Sequence, residues 1–468
     1  MLIFLFSTLL FVFLFHELYW KRRHYPPGPL PIPLIGNVIP MIREKPGYEC
    51  FRRWTKEYGD VFTFWMGTTP YIIISSYEKL KETFILDGDT FKDKMAQPFI
   101  EKFRGGSYGI AETNGYVWNI HRRFAQTSFR NFGLGRDLMQ EKVLLEVEEM
   151  SAKFDEKLGE EQDVPVVINH SIACVINQLI FGYRFDDSRK EEFEKLEEIM
   201  AFQEKTFTTF KVNVEVFAPK VGKWIPGKSL DEHNEESLDY AEAYLKEQKK
   251  QESLGEVELF SNIQLVNTCF DLWFAGLSTT NTTTNWIICY IMNTPRVQER
   301  MQEELDKVVG GPRLVTLSDK NDLPYVQAVI NESQRCANII PLNMFHMTTK
   351  DTVINGYSIK KGTGVIAQIS TVMLDEKVFP DPYKFNPDRF IDEHGKLKKV
   401  EELVPFSVGK RQCLGEGLAK MELFLFIANI FNRYKVSPLA DGPPSLEKTD
   451  KMGVFPKKFK AILTRRHN

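Results

Sequence analysis

Cys413 stands in the run Phe406-Ser407-Val408-Gly409-Lys410-Arg411-Gln412-Cys413-Leu414-Gly415, a glycine-rich loop that feeds directly into an apolar helical pattern. No other feature limits the chain so narrowly. The first backbone N–H groups of a helix lack partners, and the helix dipole favours negative charge, so a sulfur placed there is stabilised as thiolate. Gly409 and Gly415 allow the backbone to approach a flat cofactor where a Cβ would clash. Arg411, two residues before the sulfur, can offset its charge or hold a carboxylate. An electron-rich iron–thiolate bond needs this arrangement. Taken alone, the loop also reads as a buried cysteine beside an ordinary turn. The other cysteines show no Cys-x-x-Cys spacing; Cys174, Cys269, Cys289 and Cys336 lie in apolar helical contexts and read as packing residues.

Leu2–Phe15 is almost entirely Leu, Ile and Phe, and the apolar stretch resumes at Leu18-Tyr19-Trp20 before Lys21-Arg22-Arg23. Counted to Trp20, the run is barely long enough to cross a bilayer. A cleaved signal peptide is the competing reading, but it carries its basic residues before the apolar run and small residues after it. Here the basic cluster follows. The positive-inside rule places that cluster, and the body behind it, in the cytosol. Residues 1–23 are therefore read as a membrane anchor, 24–40 as a proline-rich hinge, and 41–468 as one catalytic domain.

Pro26 to Pro33 can be neither helical nor well paired in a sheet. Val61–Trp65 and Tyr71–Ile74 read as two strands around a Gly67-Thr68-Thr69-Pro70 turn. From about Glu78 to Pro341 the pattern is mostly helical, with Glu141–Leu158 and Lys190–Lys205 as clear segments and Glu247–Glu258 as an exposed loop or fraying helix end. Leu265–Met292 is long and apolar, but its Asn267, Asp271, Asn281 and threonines suit the middle of a large folded body better than lipid. Short strands return at Thr352–Ile354, Tyr357–Ile359 and Val365–Ile369, and a last helix follows Cys413. The expected fold is mainly α with a smaller β-rich region. The net charge of −3 gives no reason to expect nucleic acid as a partner.

Three further motifs stand in order before the cysteine loop: Ala275-Gly276-Leu277-Ser278-Thr279-Thr280, Glu332-Ser333-Gln334-Arg335, and Pro387-Asp388-Arg389-Phe390. In the first, a small Ala-Gly pair leaves room beside a helix, and a hydroxyl one turn on can bond a backbone carbonyl. A threonine-rich helix with back-bonded hydroxyls and no further role is the plain alternative. Glu332 and Arg335, three apart, share a helix face.

With these motifs the chain resembles the cytochromes P-450, whose haem loop is Phe-x-x-Gly-x-Arg-x-Cys-x-Gly. The resemblance spans the whole chain, and Ile176–Phe185 and Phe406–Phe426 look like the microsomal, drug- and lipid-oxidising branch. It implies that Cys413 ligates the iron of haem b, with Phe406, Gly409, Arg411 and Gly415 of the same loop as cofactor-binding residues. It makes Glu332, Arg335 and Arg389 a buried ion triad that braces that loop, structural rather than catalytic. Thr279 matches the threonine that handles the proton for splitting dioxygen; Ser278 departs from the acid usual before it. Trp118 and Arg122, four apart in Trp118-Asn119-Ile120-His121-Arg122, match a propionate-binding pair. His346 falls where the family places a third such group.

The function implied is insertion of one oxygen atom of O2 into a lipophilic molecule. The chain has no nucleotide-binding glycine loop, so electrons must come from a separate NADPH-dependent reductase, with a small membrane cytochrome b as a second donor. The implied location is the endoplasmic reticulum membrane. Arg122, Arg123, Arg130, Arg136, Lys410 and Lys420 read either as a docking patch or as an ordinary solvated surface. The substrate pocket is expected from Gln97–Ala111, Phe207–Phe217, Phe274–Leu277, Ile340–Leu342 and Met452–Phe455, an aromatic and aliphatic set. Two alternatives keep the haem: a peroxide isomerase or dehydratase that needs no reductase, and a non-catalytic haem-binding sensor.

Overall fold

The structure is a computed structural model that describes residues 1–44, 46–95, 98–131, 137–207, 240–253, 259–448 and 454–467. Its helices include α1 (Leu2–Phe15), α2 (Glu49–Tyr58), α3 (Pro98–Arg104), α4 (Gly115–Asn131), α5 (Asp137–Asp155), α6 (Val164–Phe181), α7 (Lys190–Phe207), α8 (Tyr240–Ser253), α9 (Asn262–Asn293), α10 (Pro295–Val308), α11 (Pro324–Ala337) and α12 (Glu416–Arg433). Its strands are β1 (Val61–Met66), β2 (Thr69–Ile74), β3 (Asp93–Lys94), β4 (Glu161–Gln162), β5 (His346–Met347), β6 (Thr352–Ile354), β7 (Tyr357–Ile359), β8 (Gly364–Ala367), β9 (Tyr434–Ser437) and β10 (Ala461–Arg465). Helix dominates and the sheets are small, as the sequence pattern predicts.

α9 runs through the centre and packs on α6, α11 and α12. Ser261 caps it by accepting from the Gln264 amide. Its threonines are compatible with helix because Thr268, Thr279, Thr283 and Thr284 each donate to a carbonyl one turn earlier. α10 restarts the chain at Pro295, a residue suited to the first helical turn. α12 is buried on every side from Met421 to Asn432, so it is a core helix rather than an amphipathic one. α6 is apolar enough to pass for a membrane span, yet it is mostly buried, between α5 and α9.

The main sheet has the order β1-β2-β8-β5-β3. β2 and β8 pair in parallel, and the other neighbours are antiparallel. Gly36 bridges to Met66, Thr63 donates to the carbonyls of Pro26 and Pro27, and Asn37 bonds Trp65. The proline-rich stretch therefore lies as a strap along β1. α1 has no buried residue and continues apolar to Trp20.

Several boundaries differ from those read in the sequence. α5 starts at Asp137 and stops at Asp155. The helix expected over Leu265–Met292 is longer at both ends. Residues 98–104 are helix α3 rather than loop, and the segment taken as a fraying end is helical through Ser253. β8 ends at Ala367. Gln368 then turns its amide onto the Pro341 carbonyl, and a helical turn begins at Ile369. Gln97, residues 208–217 and residues 452–453 of the expected pocket, and Arg136 of the basic set, lie outside the described residues.

Candidate active site

Loop and helix deliver Cys413 as its setting in the sequence predicts. The Cys413 amide donates to the Phe406 carbonyl at 3.0 Å, closing the loop, and Gly415 caps α12. Gly409 adopts φ +80°, and a Cβ there would sit 2.1 Å from the Phe84 carbonyl oxygen, so this position requires glycine. Gly415 has an ordinary φ, and a Cβ there would meet no protein atom within 4 Å. Among the described residues the other cysteines are buried, whereas Cys413 is exposed. Burial of the surrounding loop pushes its thiol up, while the Gly415 amide and the Arg122 charge pull it down. A metal cation at the sulfur acts in the same direction as those two.

The central helix presents a matching opening. Ala275 is exposed in the middle of α9, although Trp273, Leu277 and Thr280 around it are buried. The neighbouring Gly276 serves a different purpose from the one the sequence suggests. A Cβ there would lie 2.7 Å from Ile176 Cδ1, so Gly276 lets α6 approach, and only Ala275 leaves space open. Thr279 Oγ1 donates to the Ala275 carbonyl at 2.6 Å. Thr280 Oγ1 donates to Glu422 Oε2 at 3.2 Å, which ties α9 to α12 nine residues past Cys413. Glu422 is fully buried, and burial pushes its carboxyl up to about 8.

A cluster of cations adjoins the cysteine loop. Arg122 Nη2 donates to the Gln412 carbonyl at 2.6 Å. Arg411 donates to Lys92 O, Thr113 O and Asn114 Oδ1, and its guanidinium lies 3.9 Å from the centroid of the Trp118 ring. Arg122 approaches the same ring at 5.7 Å. Lys94 Nζ lies 3.3 Å from His346 Nε2, and His346 Nδ1 lies 2.8 Å from Phe91 O. Burial lowers the imidazole well below its usual range, so His346 is neutral, donates from Nδ1 and accepts from Lys94 at Nε2. Lys94, Arg122 and Arg411 form no ion pair among the described residues; their hydrogen-bond acceptors are neutral. Burial holds Lys94 down at about 7 and depresses both arginines. A buried lysine beside two half-buried arginines, without counterions, is costly. Anionic groups of a ligand at this place remove the cost, and a flat dicarboxylate reaching back to Cys413 matches the donor set.

Two expectations need correction. Arg411 does not offset the sulfur; its guanidinium turns to the residue 92 and 113 carbonyls, and the nearby charge is Arg122. For the same reason Arg122 is not part of a solvated basic patch, whereas Arg123, Arg130, Lys410 and Lys420 are exposed. Lys94 was missed by sequence reading, because nothing around Phe91-Lys92-Asp93-Lys94 marks it as buried.

The Glu332–Arg335 pair is bidentate at 2.7 and 2.8 Å, and both side chains are fully buried. Arg389 Nε reaches Glu332 Oε1 at 3.3 Å, and the Asn386 amide reaches the same oxygen at 2.9 Å. Arg335 also donates to Met373 O and Pro382 O. The triad thus clamps α11 to the 373–389 segment. Among the described residues, none of its hydrogen bonds runs directly to the cysteine loop.

The family model for cytochrome P450 matches residues 26–463. Cytochrome P450 2F2 of Mus musculus is 35% identical over 474 residues, covering 94% of each chain. Cytochrome P450 2C7 of Rattus norvegicus is 33% identical, covering 90% of this chain and 89% of that protein. Cytochrome P450 2C5 of Oryctolagus cuniculus is 33% identical, covering 92% of each. The chain belongs to the cytochrome P450 family. It is a haem-thiolate monooxygenase of lipophilic molecules and receives electrons from a redox partner. Haem b, with iron for the sulfur and two propionates for the cations, fits the residues present.

Proposed function

We propose that Cys413 is the axial ligand of haem b, that Lys94, His346, Arg411, Arg122 and Trp118 hold the propionate edge, and that Thr279 governs proton delivery beside Ala275. The observation that carries this reading is the pairing of an exposed sulfur at the start of α12 with buried Lys94 and half-buried Arg122 and Arg411, none of them ion-paired among the described residues. When bound, the haem supplies the one-electron and O2 chemistry. The protein's own contributions follow from the contacts. Gly415 N–H and Arg122 temper the charge on Cys413. Lys94 and Arg411 fix the carboxylates, and His346 holds the Lys94 ammonium in place. Thr279 spends its own proton on Ala275 O, so its oxygen is an acceptor that can hold a proton-bearing water. Ser278 adds a hydroxyl where a carboxyl would feed protons from solvent.

The electron donor in this reading is an NADPH-dependent reductase, with a small cytochrome b as a second donor, both on the endoplasmic reticulum membrane. Residues 1–23 anchor the chain there and 24–40 connect it to a cytosolic catalytic body, 41–468. Supporting this are the apolar α1, none of whose residues is buried, and the basic run Lys21–Arg23 behind it. Deleting Met1–Arg23 is expected to release the protein from membranes with its haem intact.

The central test is Cys413→Ser. The reduced carbon monoxide complex of the wild type is expected to show the red-shifted thiolate band, and the variant to lose it. A variant that keeps the band has another ligand. Oxygenated product that forms with reductase and NADPH supports the reaction; turnover with a hydroperoxide alone and none with NADPH overturns it.

A further inference from the structure

The turn of α9 that carries Thr279 is open on the side of Ala275, which is exposed. Nothing in the turn itself makes it stiff. Gly276 brings no side chain, and Thr279 donates to the Ala275 carbonyl, a back-bond that tends to bend a helix. Thr280 lies about 140° around the helix from Ala275, at about 100° per residue, and is buried. Its hydroxyl donates to Glu422 Oε2 at 3.2 Å, where α9 packs on α12. The open turn is therefore fastened from behind.

A carboxyl is a costly group for that place. Glu146, Asp271, Asp319, Glu332 and Glu422 are the buried carboxyl groups among the described residues. The first four each pair with an arginine. Glu422 pairs with no cation among the described residues, and its Oε1 has no hydrogen-bond partner. Burial pushes the carboxyl up to about 8, so near neutral pH it is an uncharged acid with one polar contact, the Thr280 hydroxyl. Apolar side chains at 280 and 422 would pack at less cost. What the polar pair adds is direction: a hydrogen bond fixes the rotation of α9 against α12, which dispersion contacts leave adjustable.

We infer that Glu422 is a positioning residue for oxygen activation, which acts through Thr280 to hold the α9 turn so that Thr279 stays at its station beside Ala275. This rests on the proposed relay role of Thr279.

The test compares holoprotein of wild type, Thr280→Val, Glu422→Leu, Glu422→Gln and Thr279→Ala, each checked for its reduced carbon monoxide band. The probe substrate is 7-ethoxycoumarin, oxidised either with reductase and NADPH or with cumene hydroperoxide, which brings its oxygen already reduced. Thr280→Val and Glu422→Leu are expected to lose about two- to tenfold of the product formed per NADPH, the worth of one hydrogen bond, and to keep hydroperoxide turnover. Amide hydrogen exchange, which needs no turnover, is expected to quicken over residues 276–284 in both. Glu422→Gln keeps an acceptor for Thr280 and is expected to match wild type in every measurement. Thr280→Val carries the test by itself if Glu422→Leu loses its haem. Unchanged exchange in Thr280→Val overturns the inference, whatever the probe shows. So does a Glu422→Gln as impaired as Glu422→Leu, or an equal loss with both oxidants, the mark of a merely distorted site. Uncoupling in Thr279→Ala without uncoupling in Thr280→Val defeats this inference only; uncoupling in neither defeats the Thr279 reading with it.

Discussion

Lys94 and His346 face each other directly across the two-residue pairing of β3 with β5, with Nζ and Nε2 3.3 Å apart and both side chains buried. Strand register, rather than sequence neighbourhood, makes this contact. A neutral imidazole is an adequate partner for hydrogen bonding but supplies no countercharge.

The first prediction follows from the sign of that deficit. In the haem-free fold Lys94 is depressed from its ordinary value of 10.5 to about 7. Between those two values the unfolded chain binds a proton that the folded chain lacks. This residue's contribution to stability therefore rises with pH across that window, by at most about 1.4 kcal/mol per pH unit. Urea midpoints of haem-free protein at pH 7 and about 9 should show the gain in wild type, and Lys94→Met should flatten it. In the holoprotein a propionate held there, as proposed, would reverse the situation by favouring the charged amine. There Lys94→Met should speed haem transfer to excess apomyoglobin about tenfold or more. A variant matching wild type in both assays would show that Lys94 is not at the propionate edge.

The triad predicts unequal losses. Arg335→Ala leaves the Glu332 carboxylate buried without its bidentate partner, which should cost about 3–5 kcal/mol and abolish haem incorporation. Arg389 is 10% exposed at its side chain and makes a single longer contact to Glu332, so Arg389→Ala should cost about 1–2 kcal/mol. Comparable losses from both, in urea midpoint, would contradict this ranking.

Gly409→Ala and Gly415→Ala should separate protein packing from cofactor packing. The first forces a Cβ onto the Phe84 carbonyl at a left-handed φ, and should destabilise even the haem-free chain by at least about 1–2 kcal/mol. The second meets no protein atom, and should leave the haem-free urea midpoint unchanged while lowering haem content. If Gly415→Ala incorporates haem normally, the open space beside it is not the cofactor's.

Proton delivery can be read from coupling, the ratio of product to NADPH consumed. Thr279→Ala removes the acceptor oxygen and should lower coupling by at most about 10²-fold, the low end of general acid–base help, since water substitutes in part. Thr279→Ser keeps the hydroxyl and should stay within about twofold of wild type. Ser278→Glu should improve coupling where its charge reaches solvent. Unchanged ratios in Thr279→Ala and Ser278→Glu would remove Thr279 from the relay.

What could be read beforehand was what lies within one short stretch of chain. The cysteine loop, the Ala275–Thr280 run and Glu332–Arg335 each carry their geometry in local spacing, and the structure places them in the elements expected. What could not be read depends on partners far apart. Lys94 acquires its role only by pairing with a strand some 250 residues away. Gly276 looked like room for a ligand, because nothing in its own sequence shows Ile176 filling that room. Arg122 and Arg123 are adjacent and chemically identical, yet one turns to the Gln412 carbonyl and the other to solvent.

The strap along β1 bears on how the body can move. Arg22 reaches Gly28 O, Lys21 lies over the Trp65 ring at 4.7 Å, and Tyr25 meets the same ring edge-on. The chain leaving α1 is therefore stitched to the sheet within a few residues and has no slack. With α1 in a bilayer, as proposed, a body stitched this closely would not tumble freely beneath it. The edge at β1 would stay turned toward the lipid, and greasy molecules dissolved in the leaflet would meet the same side of the protein at every encounter.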